Sequence, residues 1–316
     1  MTSDTKQLLL ESLRNIPDVI FNLLWAAKDL PPLTRLSNMR NLVLSLPQAE
    51  KEEFLQECEF IRNVSLDRLA DIKFPYKKKT LVSDDSYNET GRHQGLPYVV
   101  HKLNNKVFFP KSMSEQEALE AYLYFTRTEG ILGGGMLAKS PHCYQDADFH
   151  IEDGDIILDV GCAEALFTLD NIDHVKHAYL FESDSKWNKP LHNTFAQYWQ
   201  KTKIINKMVS DVNTKRSVRI LDALSKDTSQ LDKFFVKMDI EGGERFAIKG
   251  NAEFFQNKKI KLSCCVYHRQ DDAIIIENLL KSLGYATRYS QGYILTDMNG
   301  IHFPYFRHGI IYAKNY

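Results

Sequence analysis

Apolar residues recur at helical spacing through the first part of the chain. Leu9, Leu13 and Ile16 share one stripe, and Pro17 is placed to open a second helix carrying Val19, Ile20, Leu23 and Leu24, which Pro31-Pro32 ends. Two further amphipathic segments follow at about Thr34–Leu46 and Gln48–Ile61, with no repeat period linking them. Residues 1–75 are therefore expected to form a helical N-terminal region. From Lys77-Lys78-Lys79 to Gly95 the chain is polar and turn-rich, which predicts a linker or mobile loop with its lysines on a solvated face. Tyr98–Leu103, Asn104-Asn105 and Lys106–Phe109 read as a hairpin. Ser114 with Glu117 makes a capping box that opens a helix running to about Arg127. Residues 76–129 thus connect two larger parts.

The pattern changes further on. Asp155–Val160, His177–Glu182, Lys203–Val209, Phe234–Asp239 and Ile260–His268 are short apolar runs of strand character, and helical segments lie between several of them, notably Trp187–Lys201 and Asp272–Leu283. Alternating strand and helix predicts an α/β fold: a mainly parallel sheet with helices on both faces, preceded by the N-terminal helical region. Such sheets bind ligands at the carboxyl ends of their strands, where the strand order reverses. Trp187, Phe195, Tyr198 and Trp199 space like the core face of a helix.

Composition narrows the classes. The 316 residues are 43% apolar and 26% charged, which excludes wholesale disorder. Lys+Arg is 40 against Asp+Glu 41, so no global basic excess argues for nucleic acid or an anionic membrane. Cys58, Cys143, Cys162, Cys264 and Cys265 form no CxxC pair, and free thiols in a reducing compartment are expected. Asp4 and Glu11 flank Leu8-Leu9-Leu10, a poor signal peptide, and no stretch reaches the ~18 apolar residues of a membrane span. A cytoplasmic location is the expectation.

Two constellations carry the chemistry. In Ile156–Ala165 a buried strand delivers a turn containing Gly161, and a helix follows; a glycine there lets a ligand approach the backbone. The second strand ends in Phe181-Glu182, where a carboxylate can accept two hydrogen bonds from a ribose diol. Ala163 and Ala165 occupy two of the usual glycine positions, so a pyrophosphate fits less well than S-adenosylmethionine, which has no phosphate. The second constellation is Phe235–Glu244. Alternation sets Lys237 and Asp239 on one face of a strand and Val236 and Met238 on the other, and delivers Asp239 to the expected cleft with Glu241 and Glu244 in the turn beyond. For those two glutamates, the ordinary preference of acidic residues for a helix N-terminus is an equal alternative.

The run Lys237-Met238-Asp239-Ile240-Glu241-Gly242-Gly243-Glu244 resembles the signature of the FkbM family of S-adenosylmethionine-dependent methyltransferases. The glycine turn, Phe181-Glu182 and Val209-Ser210-Asp211 fall at matching places before it, and Cys264–His268 and Leu283-Gly284-Tyr285 after it. The resemblance covers about residues 130–316. It implies a class I methyltransferase (Rossmann-like) fold and O-methylation of a hydroxyl on a sugar, glycan or related natural product. By position it implies Asp159, Gly161 and Ala163 around the methionine end of the cofactor, Glu182 on the ribose, and Ser210 and Asp211 beside the adenine. Ala165 departs from the glycine usual in relatives, and its methyl group is expected to narrow the cofactor pocket.

Asp239 and His268 are the expected catalytic pair, with His268 as base; Glu241, Glu244 and Arg307 are assigned to the substrate, and His142 to covering the cofactor. A metal-free reaction is expected, with a carboxylate-bound divalent cation as the alternative. The other readings are a catalytically impaired relative that binds a glycan or partner, and an NAD-dependent oxidoreductase. The N-terminal helices are candidates for an acceptor wall, a lid or a homodimer contact.

Overall fold

A computed structural model of the chain describes residues 40–41, 43–63, 89–128, 140–224, 233–294 and 306–316. The helices expected before residue 40 and the Lys77-Lys78-Lys79 run lie outside the described residues. The chain is helical from Gln48 to Asn63, with a 3-10 turn at Glu52–Phe54 before helix α1 (Leu55–Asn63). The Phe54 ring packs at 4.8 Å from both Tyr293 and Phe306, which fastens this segment to the far end of the chain.

Three strands follow: β1 (Thr90–His93), β2 (Leu96–Val100) and β3 (Lys106–Phe108), an antiparallel meander. The expected linker through Gly95 is thus a strand in its last residues. Gln94 and Gly95 both have positive φ, 50° and 78°, and the register His93↔Leu96 makes them a two-residue hairpin turn of the sort that matches strand twist. The β2–β3 hairpin is present, but a 3-10 turn at Lys102–Asn104 joins its strands in place of the expected Asn-Asn turn. Helix α2 (Glu115–Leu123) starts at the capping box, in which Glu117 N–H donates to Ser114 Oγ at 3.1 Å and Ser114 N–H to the Glu117 carboxylate at 2.6 Å. The helix expected to reach Arg127 widens into a π-turn at Tyr124–Thr128.

The remaining strands build a seven-stranded sheet from β4 (Ile156–Val160), β5 (His177–Phe181), β6 (Thr202–Ile205), β9 (Lys233–Met238), β10 (Lys259–Cys265), β11 (Ala286–Tyr289) and β14 (Ile310–Lys314), ordered β11-β14-β10-β9-β4-β5-β6. All neighbouring pairs are parallel except those of β14, which runs antiparallel to both β10 and β11. The chain moves outward from β4 to β6, then returns to the other side of β4 with β9. The order therefore reverses between β4 and β9, and a crevice opens there at the strands' carboxyl ends.

Helices cover both faces: α3 (Leu166–Asn171), α4 (Asn188–Thr194), α5 (Ile220–Ala223), α6 (Glu244–Gly250), α7 (Ala252–Asn257) and α8 (Asp272–Ser282). Successive strand residues feed opposite cores. Ile156, Leu158, Val160, Phe234, Val236 and Met238 pack on one side, whereas Ile157 and Phe235 pack on the other with Phe149, Phe167 and Tyr312. All five positions of β4 are buried, as a strand covered on both faces requires.

Two expected elements are broken. Lys203–Val209 divides at the polar Asn206-Lys207, leaving β7 (Met208–Val209) to pair with β8 (Ser217–Val218) outside the main sheet. Trp187–Lys201 divides into a 3-10 turn at Ser185–Trp187, α4, and a second 3-10 turn at Ala196–Tyr198, because Phe195 leaves helical geometry. Trp187 and Phe195 remain in the core, but Trp199 is 71% exposed, against the expectation that it packs inside. The two-residue strands β12 (Tyr293–Ile294) and β13 (Arg307–His308) pair beside the sheet. All five cysteines are buried free thiols, and among the described residues no helix is long and apolar enough to cross a membrane.

Candidate active site

A cleft of about 960 Å³ opens at the reversal point and is lined by the tips of β4, β5, β7 and β9 and by the start of α6. Its floor depends on Gly161. This residue has φ +78°, and a Cβ there would lie 1.8 Å from the Asp239 carbonyl oxygen, so the two strand tips touch only because the side chain is a hydrogen. Asp239 N–H donates to Val160 O at 2.9 Å and completes the junction. Ala163 and Ala165 also have positive φ, 45° and 59°. Ala165 packs into the core and does not line the cleft, so its methyl group does not narrow the pocket as expected.

Beside the Gly161 turn, in the cleft's lining, lies a charged pair. Asp159 and Lys237 are direct neighbours in the β4–β9 register, and their side chains meet at 3.2 Å on the same face. Asp159 Oδ2 accepts from Thr168 Oγ1 at 2.7 Å, and Lys237 Nζ donates to Gly161 O at 2.6 Å. Burial works against the lysine charge, but Asp159 and Asp239 hold the ammonium above the ordinary lysine range. Such a pair costs desolvation on both sides, and its value here is geometric: it fixes the Gly161 turn.

Glu182, at the tip of β5, is oriented by the backbone. Its Oε2 accepts from Ala163 N–H at 2.9 Å and its Oε1 from Asp184 N–H at 2.7 Å. Ser210 and Asp211 line the same cleft beyond β7, and Ser210 O accepts from the Asn251 side chain at 3.1 Å.

Asp239 faces the cleft from the opposite wall. Its Oδ2 accepts from Tyr144 Oη at 2.7 Å, and its Oδ1 lies 3.2 Å from His268 Nε2. His268 is buried, and its Nδ1 lies 2.9 Å from Glu244 Oε1. Burial opposes the imidazolium, yet Asp239 and Glu244 together push its pKa up to about 10. Burial likewise opposes the Asp239 charge, but His268 foremost, then Lys237 and His142, hold that carboxyl far below the usual range. An imidazolium has no lone pair to accept a proton, so the expected base role of His268 does not fit its surroundings near neutral pH.

Three other expected site residues stand away from the cleft. Glu244 is fully buried and accepts from Ile240 N–H at 2.8 Å, so it braces the turn rather than meeting a substrate. His142 is fully buried behind Tyr144, with Nε2 3.2 Å from Tyr267 Oη and 3.8 Å from Asp239 Oδ2; it covers nothing in the cleft. Arg307 is buried in β13 and donates to Tyr267 O at 2.7 Å. Glu241 does reach the cleft, 72% exposed on a residue with φ +56°.

Tyr144, Lys237 and Phe246 line the cleft without having been singled out for it; the signal for Lys237 was a lysine within an otherwise apolar strand. Cys162 also lines it, but burial pushes its thiol well above the ordinary value, which removes it as a nucleophile. Among the described residues, two donor groups are close enough to share a metal: His142, Asp239 and Cys265, and Asp239, Glu241 and His268. In both, the donors already engage one another or are buried.

No protein-family profile matches the sequence, and no curated protein matches it significantly. Among solved structures the chain is similar to methyltransferase FkbM from Methylobacillus flagellatus KT, with 20% identity over 52% of this chain and 44% of that one and a TM-score of 0.42. It is also similar to precorrin-6y C5,15-methyltransferase from Geobacter metallireducens GS-15, with 12% identity over 54% and 84% of the two chains and a TM-score of 0.36. A protein of the NADB-Rossmann superfamily from Streptococcus agalactiae matches with 14% identity over 52% and 64%, and a TM-score of 0.34. The chain thus spans less than half the length of the first of these. In strand order and direction, the seven-stranded sheet is a Rossmann-like sheet of the class I methyltransferase type.

Proposed function

We propose that the cleft binds S-adenosylmethionine and that the protein transfers its methyl group to a hydroxyl of a sugar, glycan or related natural product. The observation that carries this reading is the Glu182 carboxylate, aimed by two backbone N–H groups across a glycine floor from the ionised Asp239. Such a site suits a nucleoside with a diol at one end and a cation at the other. Gly161 lets the tips of β4 and β9 meet as the cleft's floor, and the cleft's carboxylates suit a sulfonium better than a pyrophosphate.

When bound, S-adenosylmethionine supplies an electrophilic methyl group. Glu182 would hold the ribose diol, Ser210 and Asp211 would flank the adenine, and the turn at Gly161 and Ala163 would receive the methionine end. Asp159 acts on that turn through Lys237. Asp239 would accept a hydrogen bond from the acceptor hydroxyl, orient its oxygen and take its proton as that oxygen gains the methyl group and the carbon–sulfur bond breaks, leaving S-adenosylhomocysteine. A depressed carboxyl is a weak base. The proton on an alkylating oxygen, however, is far more acidic than any carboxylic acid, so late transfer to Asp239 runs downhill. Holding the reactants at attack distance supplies much of the acceleration, and Glu241 contributes an acceptor contact.

Incubation with radiolabelled S-adenosylmethionine and a panel of sugars and oligosaccharides tests the reading. Label enters a hydroxylated acceptor with the wild type. Asp239→Ala abolishes transfer while cofactor affinity stays within about tenfold, ~1.4 kcal/mol. Normal turnover by this variant would remove Asp239 from its role.

A further inference from the structure

Tyr144 belongs to the segment before β4, is buried, and touches the cleft. Its ring is confined on three sides. Phe167 lies edge-on at 5.5 Å and His142 at 5.1 Å, and Lys237 Nζ sits 5.2 Å from the ring centre. The hydroxyl held in that place donates to Asp239 Oδ2 at 2.7 Å. From the other side, the Asp239 Oδ1 contact comes from His268, whose second nitrogen faces Glu244. Glu244 is itself tied to the backbone at Ile240 N–H. The four side chains form one line, Glu244–His268–Asp239–Tyr144, drawn from α6, the turn after β10 (which stops at Cys265, short of the strand expected to reach His268), the tip of β9 and the segment preceding β4.

We infer that Tyr144 and Glu244 are positioning residues that clamp the Asp239 carboxylate in one orientation at the cleft wall, Tyr144 directly and Glu244 through His268. This deepens the proposed reading of the cleft and rests on it. An aspartate at a strand tip with a single partner can swing about two side-chain bonds. One held by a hydrogen bond at Oδ2 and by an ion pair at Oδ1, from opposing elements, is restricted in that swing and stays turned toward the cleft. The reorganisation that a free carboxylate would need at the moment of methyl transfer has then been completed during folding.

The test needs no knowledge of the acceptor. S-adenosylhomocysteine is neutral at the position from which the methyl group leaves, whereas sinefungin carries an ammonium there. Their affinity ratio, read by calorimetry, therefore reports a carboxylate aimed at that position. The wild type should prefer sinefungin, and D239N should lose the preference. Tyr144→Phe keeps the ring but lacks the hydroxyl, and should lower the ratio about tenfold. Glu244→Gln, a second variant that keeps the shape and the contact to Ile240 N–H but removes the charge facing His268, should move it in the same direction. The clamp is overturned if Y144F and E244Q keep the wild-type ratio while D239N loses it, or if D239N keeps it too. Absence of S-adenosylhomocysteine binding by the wild type would instead overturn the reading of the cleft.

Discussion

Gly161 offers the sharpest test of how the site is built. Replacing it with alanine puts a Cβ 1.8 Å from Asp239 O, and even the 3.0 Å floor for such contacts requires a shift of about 1.2 Å in one strand tip. The two nearest atoms are Asp239 backbone, and the junction is held by hydrogen bonds from Asp239 N–H to Val160 O and from Lys237 Nζ to Gly161 O. The left-handed conformation alone costs alanine about 1–2 kcal/mol. Losing the buried ammonium's hydrogen bond adds about 1.5–3 kcal/mol. A total near 4 kcal/mol places G161A among exceptional substitutions. Gly154 and Gly284 supply the control: their φ values are +86° and +88°, with nothing within 4 Å of a Cβ, so G154A and G284A should show only the conformational part, about 1–2 kcal/mol. Urea unfolding with a common slope measures all three. If G161A unfolds at the midpoint of G154A, the tight junction of β4 and β9 is wrong.

Two further outcomes follow from the site's electrostatics and contacts. His268 is raised from 6.5 to about 10, so its share of the stability is complete below pH 6.5 and is lost as pH climbs through 10. Asp239 is depressed from 3.8, so its share is present above that pH and is lost in stronger acid. The two shares are complete together between about pH 4 and 6.5, and the stability advantage of wild type over H268Q should shrink steadily from pH 6.5 to 10; an advantage that grows over that range would contradict the assigned charge. Glu182→Ala should weaken cofactor binding about tenfold or more by removing a charge-assisted contact to the diol, and unchanged calorimetric affinity would reject the ribose assignment.

The βαβ pattern and the strand tips at Gly161, Glu182 and Asp239 were legible because parallel strands are buried on both faces and their ligand-facing ends follow directly from chain order. Period-2 alternation also put Lys237 and Asp239 on one face. What alternation could not supply was the β4–β9 register, and only that register turns Lys237 into the partner of Asp159. Distant contacts were hidden for the same reason: nothing local in Ser140–Tyr144 shows that Tyr144 ends beside Asp239, 95 residues onward. His142, Glu244 and Arg307 have the residue types of functional groups, but burial and hydrogen bonds assign them to holding the walls. Trp199 was misplaced because the helix that would have carried it inward stops at Phe195. The β1 strand hid in a polar stretch whose only cue was the turn at Gln94-Gly95.

The proposed function requires that the cleft at the β4–β9 reversal hold an adenosyl thioether. A crystal structure of the protein soaked with S-adenosylhomocysteine tests it most directly. Density is expected in that cleft, with the ribose diol in hydrogen-bond reach of the Glu182 carboxylate and the sulfur end facing Asp239. Density elsewhere, or a cleft that stays vacant at saturating ligand, would contradict it.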